Sequence, residues 1–193
     1  VKKQIRTAIF ISGKGTNALN LMRYFHNHEN VRIALIFSTR ENELIEKESR
    51  YFDIAFKVSA INTGLWEDMA IKYCDDQKID FLVLAGFLKK IPMNLIEKFQ
   101  NRIVNIHPSL LPKFGGKGMY GNYVHDAVIQ ATEKKSGITI HFVNEEFDKG
   151  KIIAQFEIEI TEKETVESLS NKIHVLEMEH FPLVLEKLLS NLN

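Results

Sequence analysis

The stretch Thr7-Ala8-Ile9-Phe10-Ile11-Ser12-Gly13-Lys14-Gly15-Thr16-Asn17 decides the fold class. Its first half is a short apolar run suited to a buried strand, and its second half is a glycine turn. Ala18, Leu19, Leu21, Met22, Tyr24 and Phe25 then recur at helical spacing. Strand, turn and helix in that order open an alternating α/β chain, and the beat continues outward. Residues 31–38 read as a second buried strand, 41–52 as a charged helix, 55–58 as a short third strand and 65–77 as a helix. Phe81-Leu82-Val83-Leu84 is almost wholly apolar, the pattern of a strand covered on both faces.

Further along, the spacing predicts a short helix over 94–99, a strand over 102–106 and a helix over 123–132. The character then changes. Residues 138–143 and 152–160 carry strand patterns joined only by the acidic link 144–151, too short for a crossover, so an antiparallel pair is expected. A long amphipathic helix over 165–189 closes the chain. The predicted fold is α/β: a Rossmann-like, open, mostly parallel sheet with helices on both faces and a mixed C-terminal portion. A single domain over 1–193 is expected, with a nucleotide-binding half at 1–100 and a catalytic half at 101–193.

Composition narrows the function classes. The 193 residues are 45% apolar, enough for one sizeable core, and 25 Lys plus Arg balance 25 Asp plus Glu. That balance gives no reason to expect nucleic acid or an anionic membrane as partner. No run approaches the roughly 18 apolar residues of a membrane span. The single cysteine, Cys74, fits a reducing cytoplasm and reads as a small apolar filler on a helix.

The chemistry concentrates at Asn105-Ile106-His107-Pro108-Ser109-Leu110-Leu111-Pro112. In an extended chain Asn105 and His107 project to the same side, so a hydrogen-bond donor and a titratable group share one pocket. Pro108 and Pro112 end regular pairing around them. His107 is placed at the carboxyl end of a strand, where open α/β sheets put their ligand crevice. His125 and His141 rank second, His26 and His28 read as solvated or capping, and His174 and His180 as surface or packing residues on the last helix. Asp148 could return to the same sheet edge and favour the His107 imidazolium, although a plain turn aspartate before Lys149-Gly150 would look the same. Gly13, Lys14, Gly15, Thr16 and Asn17 suit an anion at a helix start, or merely a tight turn with Thr16 or Asn17 as cap. The irregular segment 108–122, with Gly115, Gly116, Gly118 and Gly121, is longer than an idle loop. No metal-ligand spacing is present.

With these residues in view, the chain resembles the phosphoribosylglycinamide formyltransferase family of folate-dependent enzymes. The resemblance rests on Ile11 to Asn17, Val83-Leu84-Ala85-Gly86-Phe87-Leu88, the run from Asn105 through Pro112 to Lys113, and His141-Phe142-Val143 followed by Asp148-Lys149-Gly150. It implies a formyltransferase fold and direct transfer of a formyl group from 10-formyltetrahydrofolate, as cosubstrate, to glycinamide ribonucleotide in purine synthesis. It also implies roles: Asn105 and His107 stabilising the oxyanion, and Asp148 holding His107 protonated and assisting proton transfer. Gly13 to Asn17 would bind the ribonucleotide phosphate and Glu177 the same substrate. Leu88, Lys89, Lys90 and Ile91, with Asn105, would border the folate.

Three features depart from the family pattern. Members commonly carry a folate-contacting arginine near 62–67, where this chain has Thr63, Gly64 and Trp66. Lys14 stands where small or amide residues are frequent, and the loop 114–123 is longer than in many relatives. The expected partners are the two small molecules, with no nucleic acid, membrane or metal; a homodimer is the one assembly left open. A tRNA-directed formyltransferase would need a basic C-terminal domain, and a formyl-folate deformylase a preceding regulatory one. The competing readings are a sugar-nucleotide N-formyltransferase and, from another class, an NADP-dependent oxidoreductase using Gly13-x-Gly15-x-x-Ala18 and Arg40.

Overall fold

The computed structural model describes residues 4–59 and 65–192. Thr63 and Gly64, where the family arginine is missing, lie outside the described residues. The strands are β1 (Ile5–Ile11), β2 (Val31–Ser38), β3 (Ala55–Val58), β4 (Phe81–Leu84), β5 (Ile103–His107), β6 (Lys135–Phe142) and β7 (Ile152–Glu159). The helices are α1 (Thr16–Tyr24), α2 (Glu43–Tyr51), α3 (Trp66–Asp76), α4 (Met93–Lys98), α5 (Asn122–Gln130) and α6 (Val166–Ser190). The strands form a seven-stranded sheet in the order β3-β2-β1-β4-β5-β6-β7. This is the predicted mostly parallel α/β sheet with a mixed C-terminal portion. The chain clusters into two compact units, Val1–Ile103 with Leu185–Asn193, and Val104–Val184.

In the first unit β1 pairs in parallel with β2 and β4, and β2 with β3. Parallel neighbours need crossovers, and α1, α2 and α3 lie between successive strands. Strands covered on both faces cannot alternate polar and apolar residues, so Ala8 to Ile11, Leu35 to Phe37 and Phe81 to Val83 are fully buried. Phe10 anchors this core, its ring 4.8 Å from Phe37 and 5.4 Å from Phe87. β1 starts two residues before its apolar run, because Ile5 pairs with Val31 and the Arg6 N–H donates to Asp80 Oδ2 at 3.0 Å. Cys74 is buried, which pushes its thiol up to about 12 and fits packing over reactivity.

His28 is not simply solvated. Its Nδ1 accepts from the Asn30 N–H at 3.2 Å, so its Nε2 donates to Glu186 Oε1 at 3.0 Å, and the Tyr24 hydroxyl donates to Glu186 Oε2 at 2.6 Å. These bonds clasp Glu186 to the end of α1.

In the second unit β6 pairs antiparallel with both β5 and β7, as the short 144–151 link requires. β6 begins at Lys135, three residues ahead of the apolar pattern, because Lys135 and Ser136 pair with Glu159 and Ile158. β7 alternates in exposure along its length, as expected of a strand with one face in solvent. Helix α6 starts in a reciprocal cap: Thr165 Oγ1 accepts from Ser168 N–H at 3.1 Å while Ser168 Oγ accepts from Thr165 N–H at 2.9 Å. Next to it the hydrogen bond from Lys172, with Ser168, holds the Glu164 carboxyl at about 2. Pro182 sits inside α6, which continues past it.

Candidate active site

β5 carries Ile103, Val104 and Ile106 into the core, and their burial fixes the register that aims the two polar residues. Antiparallel pairing sets Asn105 opposite His141 and His107 opposite Thr139. A histidine of the neighbouring strand thus meets the asparagine. Thr139 secures the loop that follows β5. Its hydroxyl donates to Ser109 O at 2.6 Å and accepts from Leu111 N–H at 3.0 Å, and Gln155 Nε2 donates to both Thr139 Oγ1 and Leu111 O at 2.9 Å. The Leu111–Pro112 peptide is cis.

His107 is 3% exposed. Its Nε2 lies 2.8 Å from the Phe114 carbonyl oxygen, which can only accept, so Nε2 carries the proton and Nδ1 is the working nitrogen. Nδ1 is 3.6 Å from Asp148 Oδ2. Asp148 adopts a left-handed backbone with φ 55°, tolerated by aspartate, and its Oδ2 accepts from Gly116 N–H at 2.8 Å. Gly115 permits that approach, since a Cβ there would lie 2.5 Å from Leu111 Cδ2 and 3.2 Å from Asp148 Cβ. The glycine-rich loop therefore closes its backbone over both His107 and Asp148.

His141 donates from Nδ1 to the Phe142 carbonyl at 2.8 Å, and its Nε2 lies 3.2 Å from Asn105 Nδ2 and 3.6 Å from Asp148 Oδ1. Asn105 Nδ2 also reaches Asp148 Oδ1 at 3.5 Å, the weaker of its two bonds and the one more easily released to a ligand. The amide is thereby oriented by a histidine that the sequence placed only in the second rank. Its signal was available: once β6 is taken as antiparallel to β5, the His141 and Thr139 spacing mirrors Asn105 and His107.

Burial dominates the electrostatics of His107 and lowers its imidazole below the ordinary value. The Asp148 charge and the Phe114 carbonyl pull the other way without compensating. Burial thus works against the expected role of Asp148 in holding His107 protonated. For Asp148, burial alone would raise the carboxyl, but hydrogen bonding to His141, the charge of His107 and the Gly116 N–H together hold it below its usual value. Glu177, on α6, accepts from His174 Nδ1 at 3.4 Å, and its charge acts on both His107 and His125.

The remaining predicted residues belong to the first unit. Gly15, not Thr16 or Asn17, caps α1, with φ 77° and no room for a Cβ, which would meet Ile45 Cγ1 at 2.8 Å. Asn42 donates through Nδ2 to the carbonyls of Gly13 and Lys14 at 3.2 and 3.1 Å, while its Oδ1 caps α2 through Ile45 N–H at 3.1 Å. In a trans peptide the N–H opposes the C=O, so the N–H groups of Lys14 and Gly15 point away from Asn42, at the positive end of α1. That is the chemistry of an anion cradle. Leu88 N–H donates to Ser12 Oγ at 3.2 Å; Leu88, Lys89 and Lys90 are exposed, whereas Ile91 is buried. Among the described residues no cluster of side chains could hold a metal ion, and no helix is long and apolar enough to cross a membrane.

Residues 5–185 match the formyl transferase family. The chain is 33% identical over 187 residues to the phosphoribosylglycinamide formyltransferase of Bacillus subtilis, covering 94% of this chain and 93% of that protein. It is 52% identical over 102 residues to the chloroplastic phosphoribosylglycinamide formyltransferase of Arabidopsis thaliana, covering 53% of this chain. It spans only 34% of the length of that relative. The crystal structure of phosphoribosylglycinamide formyltransferase from Bacillus halodurans superposes with a TM-score of 0.88 at 34% identity, covering 97% of each chain.

Proposed function

The chain belongs to the formyl transferase family, among the phosphoribosylglycinamide formyltransferases, and from that premise we propose that it moves the formyl group of 10-formyltetrahydrofolate to the amine of glycinamide ribonucleotide. The observation that carries the reading is the group of buried His107 with half-buried Asn105 and Asp148, on β5 and the loop after β6, with His107 Nδ1 turned to Asp148 at 3.6 Å.

The amine nitrogen attacks the formyl carbon and the carbonyl electron pair moves to oxygen. The Asn105 amide gives up its long bond to Asp148 and donates to that oxyanion. His107 takes at Nδ1 the proton that the attacking amine gives up, and the Asp148 carboxylate beside it stabilises the imidazolium. So protonated, His107 is a second oxyanion donor. Preorganised donors of this kind contribute up to several kcal/mol to lowering a barrier. The amine proton passes to the folate nitrogen, through the imidazole or water, as the carbon–nitrogen bond to folate breaks. The intermediate collapses to formylated product with no covalent bond to the protein.

Gly13 to Asn17 bind the ribonucleotide phosphate, with Lys14 adding a charge to the backbone donors. Glu177 binds the same substrate. Leu88, Lys89 and Lys90 border the folate through exposed side chains, and Ile91 through its backbone. The proposed compartment is the cytoplasm.

The test follows absorbance of a 10-formyl folate with purified protein, with glycinamide ribonucleotide present or omitted. Turnover that requires the ribonucleotide is expected. Turnover without any amine would make the protein a deformylase, and turnover only with an amino-sugar nucleotide would move it to the sugar-nucleotide formyltransferases.

A further inference from the structure

His107 and His141 each commit ring nitrogens to protein partners, whereas His125 Nδ1 has none among the described residues. His125 lies on α5 just after the glycine-rich loop, 4% exposed, and its Nδ1 is buried. A buried polar atom left this way is costly, and native structures keep one where something else fills the bond. Two positions of the candidate site act on the same ring through their charge: Glu177, which favours the imidazolium, and His107, which opposes it. Burial, with His107 acting in the same direction, outweighs Glu177 and lowers the His125 imidazole below its ordinary value.

We propose that His125 is a substrate-binding residue, whose Nδ1 bonds a ribose hydroxyl of the ribonucleotide beside Glu177. The chemistry selects that group. A phosphate calls for charged or multiple donors, and an ammonium would be drawn to the carboxylate alone. A hydroxyl both donates and accepts, so it can give its proton to Glu177 and receive one from a neutral imidazole. The α5 backbone holds the ring rigidly, so the hydroxyl is recognised without ordering a loop. This inference rests on the proposed ribonucleotide substrate.

The experiment compares wild type with His125→Ala, His125→Leu and His125→Asn, using glycinamide ribonucleotide and analogues that each lack one ribose hydroxyl. Asn sets a polar atom close to where Nδ1 stood, whereas Leu keeps bulk without a hydrogen bond. The expected result is a KM for the ribonucleotide raised about tenfold in the Ala and Leu variants, the factor for losing one good hydrogen bond, with the KM for folate unchanged. Asn should recover part of that loss. One deoxy analogue should bind wild type about tenfold more weakly yet lose nothing further in the Leu variant. An unchanged ribonucleotide KM overturns the proposal, as does a variant that loses stability and kcat while still discriminating the deoxy analogue. If wild type itself does not formylate the ribonucleotide, the function and this inference fall together; if wild type does and the variants match it, only this inference falls.

Discussion

The two units bury polar groups very differently. In the first, β1, β2 and β4 are largely apolar, and among the described residues its buried polar ones are Thr7, Asn17, Ser38, Ser49 and Ser59, none of them ionisable. In the second, a smaller span of chain buries His107, Ser109, His125, Ser136, Thr139 and His141. A titratable ring in a core is tolerated only where it is hydrogen-bonded or where function uses it. The first unit therefore spends its interior on cohesion, and the second gives up some cohesion to hold three imidazoles out of water. Substitutions should separate the two properties along that line.

The largest expected effect is on stability. Phe10→Ala removes a fully buried ring from the apolar unit and should cost about 3–5 kcal/mol in denaturant unfolding, with kcat per folded molecule unchanged. A comparable loss of kcat would erase the distinction. Next comes His107→Ala, expected to lower kcat by at least about a hundredfold, the scale of a lost proton-transfer group or oxyanion donor. Its midpoint in denaturant should move less than that of Phe10→Ala; near-normal turnover would remove His107 from the mechanism. Asp148→Asn should reduce kcat by about tenfold or more and leave the ribonucleotide KM nearly intact, since its partners are His107, His141 and Gly116. A large KM effect with kcat preserved would assign it to binding.

The smallest effect is in pH dependence. Burial lowers the folded-state value of His107 below 6.5, so the unfolded chain binds that proton more readily. Its contribution is complete above about pH 6.5 and is lost as pH falls through the depressed folded value. His125 acts in the same direction. Asp148, held below 3.8, contributes above that pH and loses its share only as pH falls through its own lowered value. Melting temperature should drop between pH 7 and pH 5 in wild type and drop less in His107→Ala, while Asp148→Asn alters the curve mainly at stronger acid. Parallel curves for wild type and His107→Ala would mean that this burial carries no linkage.

What the sequence made legible follows from the same contrast. Phe81 to Leu84 announces a doubly covered strand because every residue in it is apolar. Lys135 and Ser136 hide the start of β6, because a polar strand end is held by pairing partners that no local pattern displays. Asn105 and His107 could be read from their spacing beside two prolines, whereas Asp148 became distinguishable from a turn residue only through the family resemblance. The Phe114 carbonyl and the Gly116 N–H, which fix the proton on His107 and the orientation of Asp148, are backbone groups and have no letter in the sequence. The setting of His107 was half legible for a related reason: an aspartate nearby can be inferred from a motif, but the depth of burial that opposes its effect is a property of the fold.

Asn42 serves two masters with two different atoms: its oxygen starts a helix and its nitrogen shapes the anion cradle. The two duties are consequently divisible at a single position. Aspartate there would preserve the helix start and turn a carboxylate against two carbonyl oxygens, springing the cradle open; a small hydroxyl would still start the helix and simply let the cradle go. A one-atom change at this position thus adjusts the turn proposed to hold the phosphate while leaving the scaffold around it in place.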